Sequence, residues 1–220
     1  MMTNFLAKSK AILFGFLGKP EKLSDKQRLD DIKTVRFVVL DTETTGFDYT
    51  TDRILCIGAI VLQNNIIPIL DSFEVFIQQE HYDQTTAKIH GILKEFVLDC
   101  PSEFEALQRF LEFLGDSIII AHHALFDITM INKALERNGL PELKNKTLDT
   151  AVLYKKTLLL SNLLERKENY SLDELADKFD ISKKDRHTAM GDAYITAIAF
   201  LKIVNKLREK KEITLKQLFK

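Results

Sequence analysis

Apolar runs rich in β-branched and aromatic residues punctuate the first half of the chain. In Val35–Gly46 (VRFVVLDTETTG) five of the six residues before Asp41 are apolar, the pattern of a strand covered on both faces. Ile54–Gln63 (ILCIGAIVLQ) repeats it, and Asn64-Asn65 suits the positive φ of a tight turn, so Ile66–Gln78 is predicted to return as a third, antiparallel strand. Ser117–Ala121 (SIIIA) and Lys146–Thr150 are the fourth and fifth strands. Residues 79–100 read as a polar loop with a short helix around AKIHGI.

Helical spacing dominates the second half. Ser102 and Glu105 form a capping box for a helix to about Leu114, with Phe104, Leu107, Phe110, Leu111 and Leu114 on one face. A helix after Phe126-Asp127 stops near Gly139, ahead of Pro141. Another spans 151–160, and Ser171 with Glu174 caps one ending near Phe179. A long helix from about Thr188 to Lys210 carries Ala189, Ala193, Ala197 and Phe200 for close packing. Hairpin-linked strands followed by strand–helix units predict an α/β fold with a mixed sheet. Residues 35–205 form the domain; 1–34 are expected to be an N-terminal helical extension, with a capping box at Ser24 and Gln27, and 206–220 a C-terminal tail.

Bulk properties narrow the partners. The 220 residues are 45% hydrophobic and 29% charged, ordinary for a globular protein. With 31 basic and 32 acidic side chains the net charge is −1, so nucleic acid contact must come from a local patch. Two cysteines, Cys56 and Cys100, point to reduced thiols and not a disulfide framework or zinc site. The longest N-terminal apolar run, Ala11–Leu17, is too short to span a bilayer, and the expectation is a cytoplasmic protein without a membrane span.

The candidate chemistry is acidic. Asp41 and Glu43 are two apart, so strand alternation aims both carboxylates from one face at the strand's C-terminal end. Asp127 opens a helix just after the fourth strand; a carboxylate there also suits the helix dipole. His187 and Asp192 lie at the start of the long helix, where a histidine also serves as a cap or surface residue. If the four carboxylates meet, their repulsion calls for cations, and two divalent ions about 3.5–4 Å apart are a known arrangement for phosphoryl displacement. His187 would then accept the attacking water's proton.

DTETTG, HHALFD and HTAMGD resemble, in order, the three motifs of the DnaQ-like 3′–5′ exonucleases of the DEDDh type, with DRILCIGAI, IHGI and YSLDELADKFDI as intervening signposts. The resemblance covers about residues 36–205. It implies a ribonuclease-H-like five-stranded mixed sheet flanked by helices, with Asp41, Glu43, Asp127 and Asp192 holding two Mg2+ or Mn2+ ions and His187 as general base. It also implies that Thr44, Thr45, Gly46 and Phe47, with His90 and Phe126 nearby, hold the terminal nucleotide. Phe47 has two readings, a base-stacking ring or a half-buried loop residue. His123 stands where the family's second motif has Asn, which leaves the ligands intact and puts one contact near the substrate in question.

The function this implies is removal of nucleoside 5′-monophosphates from DNA 3′ ends, single-stranded or frayed, in proofreading beside a polymerase subunit, as for the polymerase III epsilon subunit, or in repair. RNA 3′ trimming is the second reading, since the same site tolerates a 2′-hydroxyl in some relatives. A silent binding subunit is the third, and the complete acid set with His187 speaks against it. Lys183-Lys184-Asp185-Arg186 is either a solvated loop or a phosphate contact. In the tail, Gln217-Leu218-Phe219 is a poor match to clamp-binding peptides and is expected to pack on the domain.

Overall fold

The computed structural model describes residues 31–68, 70–80, 83–158, 167–209 and 212–220. The expected capping box at Ser24 and the rest of residues 1–30 lie outside them. Asp31–Thr34 form a turn closed by Thr34 N–H donating to the Asp31 carbonyl at 3.1 Å, with Ile32 buried in the core.

Five strands make one mixed sheet: β1 (Phe37–Thr44), β2 (Ile54–Leu62), β3 (Ser72–Phe76), β4 (Ile118–Ala121) and β5 (Thr147–Asp149), in the order β3-β2-β1-β4-β5. β1 runs antiparallel to β2 and parallel to β4, and β4 runs parallel to β5. The eight helices among the described residues are α1 (Gln84–His90), α2 (Lys94–Val97), α3 (Glu103–Leu114), α4 (Leu125–Arg137), α5 (Thr150–Leu158), α6 (Leu172–Phe179), α7 (Ala189–Arg208) and α8 (Leu215–Leu218). This is the mixed five-stranded sheet flanked by helices that the motifs implied. Both expected capping boxes within the described residues form, at Ser102–Glu105 and Ser171–Glu174.

Strand alternation decides what the acids can meet. Phe37 and Val39 pack with Ile60, Leu62, Ile120 and Leu148 against Ile195, Ala199 and Phe200 of α7. Val38 and Leu40 pack on the other face with Ile57, Ile119 and Ala121 against Leu107 and Phe110 of α3 and Met130 and Ile131 of α4. Asp41 and Glu43 continue the α7 face past the end of the core, whereas Thr42 continues the α4 face. Gly58 of β2 pairs with Asp41. A Cβ there would lie 2.4 Å from Ala189 C and Met190 N, so the absent side chain is what lets the start of α7 press onto the sheet.

Three boundaries differ from the sequence reading. The third strand is Ser72–Phe76, not Ile66–Gln78: Asn64 and Asn65 make the left-handed turn and Gln63 bridges Ile66, but Pro68 has no N–H to continue the ladder. Residues 79–100 hold two short helices, α1 and α2, where one was expected. The 205/206 boundary falls inside α7, and Ile213 and Leu218 belong to the same core as Phe200. Leu218 of the QLF segment is therefore buried, its carbonyl accepting from Lys156 Nζ at 3.0 Å. None of the helices described is long and apolar enough to cross a membrane. Cys56 and Cys100 are both free thiols.

Gly58→Ala is expected to overpack the β2–α7 contact and cost about 1–3 kcal/mol. Urea unfolding measures this, and an unchanged midpoint would show that the close approach is dispensable.

Candidate active site

Asp41 and Glu43 leave the end of β1 on the side facing α7, and Asp192 projects back from the first turn of that helix. Each of the three offers a carboxylate oxygen within 4.8 Å of the others. The helix start that positions Asp192 is tightly tied. Thr188 is the cap, its hydroxyl accepting from Gly191 N–H at 3.1 Å and donating to the Asp185 carbonyl at 2.8 Å. A Cβ at Gly191 would stand 2.0 Å from that same carbonyl, so only glycine allows the loop to fold back.

Asp127 approaches from the opposite face. It is buried in the first turn of α4, and Thr42 Oγ1 donates to its Oδ1 at 2.7 Å. Thr42 thus latches the acid of the α4 face to the strand whose flanking residues are the acids of the α7 face. The fourth carboxylate lies outside the group within 4.8 Å, yet its charge is felt at both Asp41 and Glu43.

The electrostatics follow from burial and from the crowding of carboxylates. Burial, then Asp127, Asp192 and Glu43, push the Asp41 carboxyl well above its ordinary range. Burial and the charges of Asp192 and Asp127 push Glu43 up to about 7, against the pull of Arg186. Burial pushes Asp127 up to about 7 despite the Thr42 hydrogen bond. Asp192 is raised by burial, with Arg186 and the His187 backbone opposing. A donor set of hard carboxylate oxygens, with no thiolate or imidazole among the three that converge, fits Mg2+ or Mn2+ and not a soft metal.

His187 is not in the cluster. Its ring is exposed, its φ is +65°, and its contact with the acids is backbone N–H to Asp192 Oδ1 at 3.4 Å. Arg186, placed by the sequence in a charge run, instead turns inward. Its guanidinium pairs with Asp192 Oδ2, grips Asp173 through Nε at 3.0 Å and Nη2 at 3.2 Å, and sits with Nη1 3.5 Å from His187 Nδ1.

The residues expected at the nucleotide end divide into two kinds. Thr44 Oγ1 donates to the Gly46 carbonyl at 2.7 Å, and Thr45 Oγ1 donates to Asp52 Oδ1 at 2.7 Å while accepting from Arg53 N–H at 3.0 Å. These hydroxyls hold the turn around Gly46. Phe47, by contrast, is 78% exposed, and its ring lies 5.7 Å from Phe126, which in turn lies 5.8 Å from Tyr49. His90 is 7% exposed and lines a cavity of 820 Å3 that also reaches Glu43. Its Nδ1 accepts from Ile92 N–H at 3.0 Å, which leaves the proton on Nε2, and Nε2 has no partner among the described residues. Burial lowers the His90 pKa and keeps the ring neutral.

The second motif is mostly architecture. His122 lies between Thr150 Oγ1 and the Tyr170 carbonyl, each at 2.9 Å, and burial pushes its pKa down to about 4. His123 has φ +55° and donates its N–H to Asp149 Oδ1 at 3.3 Å. His, like Asn, is among the residues that tolerate this left-handed backbone. Thr42, Tyr49, Asp149 and Arg186 were not picked out individually by the sequence. Only Thr42 carried a signal, its place between two acids on an alternating strand.

Comparison with known proteins fits this geometry. The RNase_T model, described as an exonuclease, matches residues 38–200. The PolC-type DNA polymerase III of Caldanaerobacter subterraneus subsp. tengcongensis is 37% identical over 174 residues, 79% of this chain and 12% of that protein. The PolC-type enzyme of Thermotoga maritima is 35% identical over 188 residues, 85% of this chain and 13% of that one. The chain thus spans about an eighth of the length of these relatives. Among solved structures, E. coli exonuclease I in complex with a dT13 oligonucleotide aligns with a TM-score of 0.69 at 17% identity, covering 80% of this chain and 42% of that one. Cell-death related nuclease 4 aligns at 0.68 with 12% identity, covering 79% and 64%. With its three motifs spread along the matched span and its sheet in the same arrangement, the chain belongs to the exonuclease family of DnaQ-like, ribonuclease-H-like nucleases.

Proposed function

We propose that this protein is a metal-dependent 3′–5′ exonuclease that releases nucleoside 5′-monophosphates from single-stranded or frayed DNA ends. The observation that carries the reading is the meeting of Asp41, Glu43 and Asp192 within 4.8 Å, with Asp127 latched beside them by Thr42. Support for DNA comes from relatives named as DNA polymerase III and from the oligonucleotide complex of exonuclease I. The same relatives support proofreading in association with a replicative polymerase. Residues 35–205 would carry all of the catalytic side chains.

Asp41, Glu43, Asp127 and Asp192 would hold two Mg2+ or Mn2+ ions. When bound, such ions would act as Lewis acids that polarise the phosphoryl oxygens and offset charge on the attacking and leaving oxygens. The remaining work falls to the chain. His187 turns in from the rim and takes the water's proton on Nε2, since Nδ1 faces Arg186. Phe47, Phe126 and Tyr49 form a ring stack against a terminal base, indifferent to its sequence. His90 Nε2–H offers a donor to an oxygen at the inner end, and the turn around Gly46 brings backbone close to the terminal sugar. Separating three terminal base pairs costs roughly 4 kcal/mol at about 1.4 per step, and a mismatch lowers that cost.

Asp41→Asn is expected to abolish digestion of a 5′-labelled oligonucleotide while the far-ultraviolet dichroism is retained; undiminished digestion would end the proposal. His187→Ala should lower kcat by about 10²–10⁴-fold with Mn2+ affinity nearly unchanged, which single-turnover kinetics and calorimetry can separate. On matched duplex, 3′-mismatched duplex and single strands, and on the RNA equivalents, the expected order is single-stranded DNA, mismatch, matched duplex, with RNA slowest. Equal rates on all DNA forms would refute the fraying argument.

Glu43 and Asp127 titrate near 7 in the metal-free fold, far above the ordinary carboxylate range. Folding therefore favours their protonated forms. That stability is present below the ordinary range and is lost as pH rises through about 7. In EDTA the melting temperature should fall between about pH 5 and about pH 8, and excess Mg2+ should abolish or reverse the fall. A metal-free protein whose melting temperature rises over that interval would contradict the crowding described above.

A further inference from the structure

Arg186 sits where the proposed function needs a metal ligand free. Its side chain is 17% exposed, less than that of its partner Asp173 at 43%. Through Nε and Nη2 it takes both oxygens of Asp173, in the first turn of α6, and its third arm, Nη1, goes to Asp192 Oδ2. The other Asp192 oxygen accepts from His187 N–H at 3.4 Å. Both oxygens of one member of the convergent triad are thereby occupied by the loop that carries the proposed general base. A guanidinium and a divalent ion on the same carboxylate repel one another, so the two compete for it. The fork on Asp173 is bidentate, a geometry specific to arginine, and it persists if only Nη1 lets go.

Asp185 and His187 both have φ +65°, a left-handed conformation open to Asp and His, with Arg186 between them pointing inward and His187 exposed outward. Thr188, capping α7 and bonded back to Asp185, anchors the loop's far end.

We propose that Arg186 is the resident counter-ion of the carboxylate cluster, paired with Asp192 in the metal-free protein and displaced from it onto Asp173 alone when a divalent ion binds. This rests on the metal-dependent reading of the site. It gives Arg186 a role outside catalysis: it keeps the four acids compatible with a folded chain before the ions arrive, and it sets how tightly they must bind to displace it. Because Arg186 and His187 are consecutive, release of the Nη1 contact also frees the segment on which His187 turns inward.

The test is Mn2+ binding to the full chain, measured by calorimetry and by the loss of free-ion electron paramagnetic resonance signal, in the wild type, Arg186→Gln and Lys184→Gln. Lys184 is exposed on the same loop and controls for the loss of one positive charge. Arg186→Gln is expected to bind Mn2+ at least about fivefold more tightly than Lys184→Gln, or ~1 kcal/mol at 1.4 kcal/mol per tenfold. Its melting temperature in EDTA should fall, and saturating Mn2+ should remove most of the deficit. Affinity equal to or weaker than that of Lys184→Gln overturns the exchange and leaves the metal site standing. Should neither the wild type nor either variant bind Mn2+, the metal reading fails, and the proposal with it. Should Arg186→Gln not fold, a crystal of the wild type soaked in Mn2+ decides. With the ion present, the Nη1–Asp192 contact is expected to open beyond hydrogen-bonding distance while the Asp173 fork remains; an unbroken contact beside a bound ion overturns the proposal.

Discussion

Repulsion among carboxylates gathered at one end of a sheet is the constraint to which the rest of this structure answers. At a separation of about 5 Å and an effective dielectric of about 20, a pair of like charges costs roughly 3 kcal/mol. Raising a carboxyl by three pH units costs about 4 kcal/mol. The terms are comparable, and the crowding is accompanied by carboxyls raised to about 7 at Glu43 and Asp127 and by one guanidinium on Asp192. Neither device is needed once a divalent cation supplies the charge. The acids are held together against this repulsion by the apolar faces of β1, which are buried beneath α7 on one side and α3 and α4 on the other.

The site is drawn partly from core elements and partly from a loop. Asp41, Glu43 and Asp192 stand on a strand and a helix whose approach is fixed by Gly58, and Asp127 is latched by Thr42. Elements packed on a common core position oxygens more precisely than loops do. His187 and Arg186 occupy the segment between α6 and α7, where left-handed residues alternate with ordinary ones.

Phe47, Tyr49 and Phe126 form a cluster of mutually tilted rings in which Phe47 is exposed. Rings of this kind can stack on a base whatever its identity. A net charge of −1 gives the chain no strong overall field to draw in an anionic partner. The inner cavity is bordered by Glu43 and His90, and His90 Nε2–H has no partner there among the described residues.

Much of this could be read from residue order, because it depends on short-range rules. Alternation along VRFVVLDTETTG put Asp41 and Glu43 on one face, the Asn64-Asn65 pair closed a hairpin, and two serine–glutamate boxes started α3 and α6. The spaced motifs named the family. Arg186 could not be read that way: in KKDR it has the signature of a solvated loop, and only the approach of α6 and α7 gives it two carboxylates to bridge. Thr42 as a latch, Tyr49 in the ring cluster and the burial of Leu218 likewise arise from contacts between segments far apart in the chain. Local preferences of the chain settled which elements form and which acids leave them; the packing of those elements settled which charges face each other, since Coulomb energy depends on distance in space and not along the sequence.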